Sequence, residues 1–328
     1  MTASDVAPRS SGPPLRIGTR SSELALRQAR QVQHALEARG RASELVTYTT
    51  IGDRRLDTPL SAIGAKGLFT QELEDDLRAG RVDCCVHSLK DLPTESPAGV
   101  EVVAVLERED PRDALVLGAG AAATGVHDLP HAAVVGTSSL RRRALLLALR
   151  PDLRVVELRG NVPTRLRKVD DGQVQAAVLA AAGLHRLGAA ARIAAYLEPP
   201  VWLPAAGQGA IAIQVRADGG AVRELFSALN HGATMRAVRA ERAMLSALGG
   251  GCQVPIAALA VPGWNETTLH GAVLDLYGAR SVRGEEPLDG ADPDAAGRAL
   301  AATLMAKGAG EILSALRAMT AVSPPQPE

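Results

Sequence analysis

Three glycines in a row precede one cysteine in GGGCQVP (249–255), and an apolar, strand-like run follows it. A thiol inside an apolar strand is ordinarily inert packing, which is the expectation for Cys84 and Cys85. Cys252 has different surroundings. Residues without side chains open space beside its sulfur and let backbone approach closely, so a bulky group could be attached there. A glycine turn that happens to carry a small residue fits the same letters. Three cysteines with no C-x-x-C pair make neither a disulfide framework nor a zinc site, and no metal is expected.

The second candidate is HSLKDLP (87–93). Lysine is scarce in this chain: only Lys66, Lys90, Lys168 and Lys307 stand among 36 basic residues. Lys90 and Asp91 follow an apolar run, and in an open parallel sheet ligands bind beyond the carboxyl ends of the strands. Asp91 would then face a ligand, and the cation beside it would keep it ionised. An aspartate turn flanked by an exposed lysine is the plain alternative. Arg141, Arg142 and Arg143 crowd the first turn of a helix, where the macrodipole opposes positive charge. A bound polyanion would compensate them, its carboxylates gripped by guanidinium forks and backbone N–H groups. ELRGNVPTRLRK adds Arg159, Arg165, Arg167 and Lys168, and AAGLHRLG adds Arg186. Of these cations, Arg143, Arg167 and Lys168 read as a solvated face. IGAKGLF (63–69) is a glycine-hinged loop with Lys66 at its tip, and it lacks the spacing of a Walker A loop.

Two stretches must position these groups, and they resemble each other: LRIGTRSSELALRQA (15–29) and AVVGTSSLRRRALLLA (133–148). Each reads as strand, Gly-Thr, serine pair, helix. Serine caps the helix and leaves backbone N–H groups pointing outward, a standard way of holding an anion, although a serine cap also begins ordinary helices. Strand candidates at 44–51, 81–88, 101–106, 153–158 and 176–180 alternate with helical patterns such as LFTQELEDDLRAG, which predicts two α/β domains with mainly parallel sheets. Beyond residue 230 a helix, the GGGC turn, strands near 254–260, 268–276 and 280–284, and a helix at about 292–318 predict a smaller α+β domain.

Composition limits the partners. With 328 residues the chain is long enough for two or three domains. Its 36 basic and 36 acidic residues balance, and aromatics are 2%, so neither a general basic field nor stacking platforms for nucleic acid are present. The Pro/Ser-rich start has no apolar core of a signal peptide, and no run approaches eighteen uninterrupted apolar residues. The expectation is a cytoplasmic protein with no membrane or nucleic-acid partner and a disordered tail at 1–14.

The ordered blocks IGTRSSELALRQA, GAKGLFTQELE, CVHSLKDLP, EREDPRDAL, VGTSSLRRRA, LRGNVPTRL, AAGLHRLG, PAAGQGAIAI and AERAM…GGGCQVP together resemble the hydroxymethylbilane synthase (porphobilinogen deaminase) family from about Leu15 to Leu259. The resemblance implies a dipyrromethane cofactor joined to Cys252 by a thioether. Four molecules of porphobilinogen are added to this primer with loss of ammonia, and water then releases a linear tetrapyrrole. It implies Asp91 as catalytic aspartate, with Lys90, Ser139, Arg141, Arg142 and Arg165 holding the cofactor. Arg20, Ser22, Arg159, Arg165 and Arg186 would serve incoming substrate, and Lys66 and Phe69 would belong to an active-site loop.

The implied fold has two α/β domains similar to periplasmic anion-binding proteins, with mixed, mainly parallel sheets, and a smaller C-terminal α+β domain carrying the cysteine. Their spans are 15–106 with 204–229, 107–203, and 230–328, in a monomer. Two departures stand out: His185 replaces a common lysine, and Pro163 a common glycine, which leaves the placement of Arg165 less determined. A non-catalytic two-lobed anion binder would use the arginines without Cys252 or Asp91. A Schiff-base enzyme using Lys90 would leave the GGGC turn unexplained.

Overall fold

The computed structural model describes residues 12–50, 70–118, 120–250, 254–263, 266–288, 290 and 292–321. Lys66, Phe69 and Cys252, and the first eleven residues of the expected tail, lie outside the described residues. In chain order the strands are β1 (Leu15–Arg20), β2 (Ser43–Tyr48), β3 (Cys84–Ser88), β4 (Val100–Val105), β5 (Asp113–Leu117), β6 (Val134–Gly136), β7 (Arg154–Val156), β8 (Ala176–Ala180), β9 (Ile193–Leu197), β10 (Ile211–Arg216), β11 (Ile256–Pro262), β12 (Thr267–Leu274) and β13 (Ser281–Pro287). The α-helices are α1 (Glu23–Glu37), α2 (Gln71–Arg78), α3 (Leu140–Leu149), α4 (Val162–Asp170), α5 (Ala181–Arg186), α6 (Gly220–Ser227), α7 (Gly232–Ala247), α8 (Pro293–Leu304) and α9 (Gly310–Ala321).

Two compact units divide the chain. One holds the residues up to Arg108 with Ala210–Met235, and the other holds Glu109–Gly209 with Arg236–Glu328. The sheet of the first unit runs β2-β1-β3-β10-β4, and the larger sheet of the second runs β7-β6-β8-β5-β9. In the first, β1 pairs in parallel with β2 and β3, while β10 lies antiparallel between β3 and β4. The second repeats this plan: β6 is parallel to β7 and β8, and β5 is antiparallel to β8 and β9. Both sheets are therefore mixed, with four of five strands running one way and β10 or β5 against them, and the two repeated sequence stretches become β1–α1 and β6–α3 at equivalent places. Pairing of β10 with β3 joins residues more than a hundred positions apart, which no local pattern encodes.

Helix α1 shows how the pattern becomes packing. Ser22 caps it by accepting from the backbone N–H of Ala25, and Ala25, Ala29, Val32 and Leu36 are buried at helical spacing. Their stripe lies on a core with Ile17, Cys84, Val86, Ile211 and Ile213, where each fully buried aliphatic side chain is worth roughly 1.5–3 kcal/mol.

The third sheet, β11-β12-β13, is antiparallel and sits in the second unit. Ala258, Ala260 and Leu269 pack on α7, α8 and α9. Ala257, Leu259, Ala272 and Leu274 enter the core of the β5–β9 sheet beside Leu115, Leu145 and Trp202. The expected closing helix is broken at Gly308, whose φ of 98° no helix accommodates, within the π-helical turn Met305–Ala309. The run Pro293–Met319 is long and apolar enough to cross a membrane, yet Leu300, Leu304, Ile312 and Leu313 spend their apolar surface in the core against the third sheet.

Candidate active site

In the first unit the carboxyl ends of β1 and β3 position the candidate residues. β1 ends at Arg20, Ser22 caps the helix that follows, and a single 3₁₀ turn (Leu89–Asp91) after β3 carries Lys90 and Asp91. Arg20, Ser22, Gln28, His87, Ser88 and Asp91 line one cavity of about 70 Å³. Asp91 is exposed at its edge. Gln28 is 3% exposed on the buried face of α1 and donates through Nε2 to Ser88 Oγ at 2.8 Å. Sequence reasoning passed over Gln28 and His87. The signal for Gln28 was a polar residue inside the apolar stripe of α1, and for His87 a ring in a strand buried on both faces.

His87 is 6% exposed, and burial pushes its imidazole down to about 4. The Gln214 side chain works against that fall, and the nearby Arg20 charge adds to it.

In the second unit Ser139 caps α3 by accepting from Arg142 N, and Thr137 N donates to Val156 O at 2.9 Å just beyond β6. The expected crowding of arginines is real, and its first compensation comes from within the protein. Asp113, the first residue of β5, has no solvent exposure. Arg141 Nη1 donates to its Oδ2 at 2.7 Å, and Arg142 Nη2 donates to Oδ1 at 2.7 Å. Trp202 Nε1 and Gln208 Nε2 each donate to the same carboxylate at 2.8 Å. Burial alone would raise the Asp113 carboxyl, but the two guanidinium charges outweigh it and hold the group well below the usual carboxylate range. Burial in turn lowers Arg141, with Asp113 opposing.

The two arginines differ in what they have left. Arg142 also places Nη1 on Val178 O at 3.0 Å, so all three of its nitrogens are engaged. Arg141 Nε is buried without a partner among the described residues.

Arg186, at the end of α5, donates to Gly209 O at 2.7 Å, and its Nε is likewise buried and unpartnered among the described residues. Burial lowers this guanidinium, with Glu109 opposing. Arg159 lies 3.8 Å from Glu157. Arg165 sits in α4, which Asn161 caps by accepting from Thr164 N at 2.9 Å. Pro163 falls in the first turn of that helix, where a missing N–H costs no internal bond, so the proline is absorbed. His185 fills the place of the usual lysine by contacting Glu109 Oε1 at 3.1 Å and Tyr196 Oη at 2.9 Å. Arg143, expected to be solvated, instead donates to Val155 O at 2.9 Å and is half-buried, while Arg167 is exposed.

Two of the glycines before Cys252 end a helix. Gly249 has a φ of 64°, its N–H bonds to Ser246 O at 2.8 Å, and Gly250 N bonds to Leu245 O at 2.9 Å. This double bond closes α7 and satisfies carbonyls that its last turn would leave bare. A side chain at Gly250 would run into Ile256 and Leu245.

The family model for the porphobilinogen deaminase dipyrromethane cofactor binding domain matches residues 15–224, and that for the porphobilinogen deaminase C-terminal domain matches 235–306. The chain belongs to the porphobilinogen deaminase family. Among relatives of that name, the protein of Moorella thermoacetica is 50% identical over 308 residues, covering 93% of this chain and 97% of its own. The Geobacter metallireducens relative is 48% identical over 304 residues, covering 92% and 94%. Solved structures at lower likeness include a periplasmic substrate-binding protein of an ABC transporter from Coxiella burnetii, with TM-score 0.42, 17% identity, and coverage of 67% of this chain and 94% of that one. Lipoprotein Tp32 from Treponema pallidum has TM-score 0.43 and 16% identity, covering 67% and 92%.

Two measurements test this account of the site. Asp113→Asn leaves two buried guanidinium groups without their counter-charge and should cost about 3–5 kcal/mol in denaturant unfolding. For His87, the unfolded chain takes up a proton near pH 6.5 that the folded protein refuses until about 4. Stability should therefore fall as pH drops through that window, by roughly 3 kcal/mol, and His87→Asn should remove that part of the slope.

Proposed function

We propose that the chain works as a porphobilinogen deaminase, that is, a hydroxymethylbilane synthase of tetrapyrrole biosynthesis. It is a transferase that joins four porphobilinogen molecules head to tail with loss of ammonia and releases hydroxymethylbilane by hydrolysis. It acts as a monomer in the cytoplasm, without nucleic-acid or membrane partners. The observation that carries the reading is the coincidence of an ordered family match with an aspartate set beside Arg20 and Ser22 in one cavity.

A dipyrromethane carries carboxylate arms, so it needs guanidinium and hydroxyl donors. The second unit fits that need, since Arg141 and Arg186 each keep a buried Nε without a partner among the described residues. Lys90, Ser139, Arg141, Arg142 and Arg165 hold the cofactor, and Arg141 gives the larger share because Asp113 and Val178 O already occupy Arg142. When bound through a thioether at Cys252, the dipyrromethane supplies the pyrrole carbon onto which the product grows. Arg20, Ser22, Arg159, Arg165 and Arg186 pair with the acetate and propionate of incoming substrate. The loop with Lys66 and Phe69 belongs to the same site.

Asp91 is the catalytic group. Its carboxylate accepts from pyrrole N–H groups and, being fixed on a turn after β3, stabilises the positive charge that develops on the substrate ring. The same oxygens receive the proton lost from the pyrrole carbon that forms the new bond.

The denatured protein should weigh more than its sequence by two linked pyrrole units, and Cys252→Ser should weigh what its sequence specifies. A wild-type mass equal to the bare sequence, in protein that still makes bilane, would overturn the cofactor assignment. Asp91→Asn should keep its fold by circular dichroism and lose at least about a hundredfold in turnover, measured by bilane formation.

A further inference from the structure

His87 has a defined orientation problem. Antiparallel pairing sets His87 opposite Ala212, so Gln214, two residues along β10, lies on the same face of the sheet. His87 Nε2 and Gln214 Oε1 are both buried, and neither makes a hydrogen bond of ordinary geometry among the described residues. The amide oxygen is held in place because Gln214 Nε2 donates to Glu74 Oε1 at 3.2 Å. An acceptor at that position selects the tautomer with the proton on Nε2. Nδ1 is then the ring's acceptor, and His87 lines the same cavity as Asp91. Charged groups around the ring are Arg20 from β1, Glu74 from α2 and Asp91 from the turn after β3.

We propose that His87 receives the aminomethyl nitrogen of incoming porphobilinogen and holds it, still protonated, as the leaving group. The idea rests on the function proposed above. An ammonium group leaves as ammonia only if it keeps its third proton until the carbon–nitrogen bond breaks. A carboxylate in this place would pair with the ammonium charge and stabilise the ground state instead. The buried imidazole accepts a hydrogen bond without taking the proton, since an alkylammonium holds it up to about pH 10. In the step itself the bond's electron pair passes to nitrogen, ammonia departs, and the positive charge remains on the substrate's own methylene and ring beside Asp91. The imidazole starts and finishes neutral.

The test uses cofactor-loaded protein, verified by intact mass, as wild type, His87→Asn and His87→Phe. Each is given porphobilinogen and the analogue bearing hydroxymethyl in place of aminomethyl. A hydroxyl must gain a proton to leave, and an acceptor does not provide one. Both variants should lose on the order of tenfold or more in kcat with porphobilinogen and less than about threefold with the analogue. Equal losses on both substrates, or none, would overturn the proposal. Should both variants fail to fold, ¹⁵N NMR of histidine-labelled Asp91→Asn protein decides. The His87 Nδ1 resonance must move on adding porphobilinogen and hold still with the analogue, and any other outcome overturns the assignment. Protein that makes bilane from neither substrate and carries no adduct refutes the underlying function instead.

Discussion

A carboxylate shut away from water at the head of β5 is the constraint on which the second unit depends. An isolated ion there would cost several kcal/mol, and Asp113 is tolerated because two guanidinium groups, an indole N–H and an amide all point at it. Those partners come from α3, from Trp202 and from Gln208, so the electrostatics of one side chain fix where three separate stretches of chain meet. Arg141 also binds Leu203 O, and Gln208 binds Pro111 O, which ties the segments before β5 and after β9 to the same point. Segment 204–209 groups with this unit for that reason, reinforced by Glu241, which accepts from Gly207 N and Ala260 N.

The two large sheets show the same plan carrying different cargo. After the second strand of one comes Arg20 with Ser22, and after its counterpart come Ser138, Ser139 and Arg141. After the third strand of one comes Asp91, and after its counterpart the helix ending in Arg186. Arginine and serine thus follow equivalent strand ends in both units, while the turn with Asp91 belongs to one alone.

Much of this was legible in the letters because it is local. Ser22 and Ser139 announced helix starts, the alternation announced two α/β sheets, and residues 176–180 marked β8 to the residue. What was hidden depends on distant partners. The antiparallel place of β10 needs its pairing with β3 and β4, and the compensation of Arg141 and Arg142 needed Asp113, 28 residues before Arg141. The strand expected at 81–88 begins only at Cys84, and just before it Asp83 accepts from Arg16 N through its carboxylate. Gly249 and Gly250 also end α7, a helix-closing role that depends on carbonyls a turn back in the chain.

The core shared between the β5–β9 sheet and the third sheet bears on how such a chain can be cut or recombined. Leu115, Leu145 and Trp202 are covered by Ala257, Leu259, Ala272 and Leu274, so neither layer owns a complete interior. Removing the C-terminal portion would strip one wall from its neighbour and expose a wet apolar seam, inviting aggregation rather than yielding a smaller soluble fragment. The last hundred residues are thus no detachable accessory, and their inheritance is bound to that of the lobe they roof.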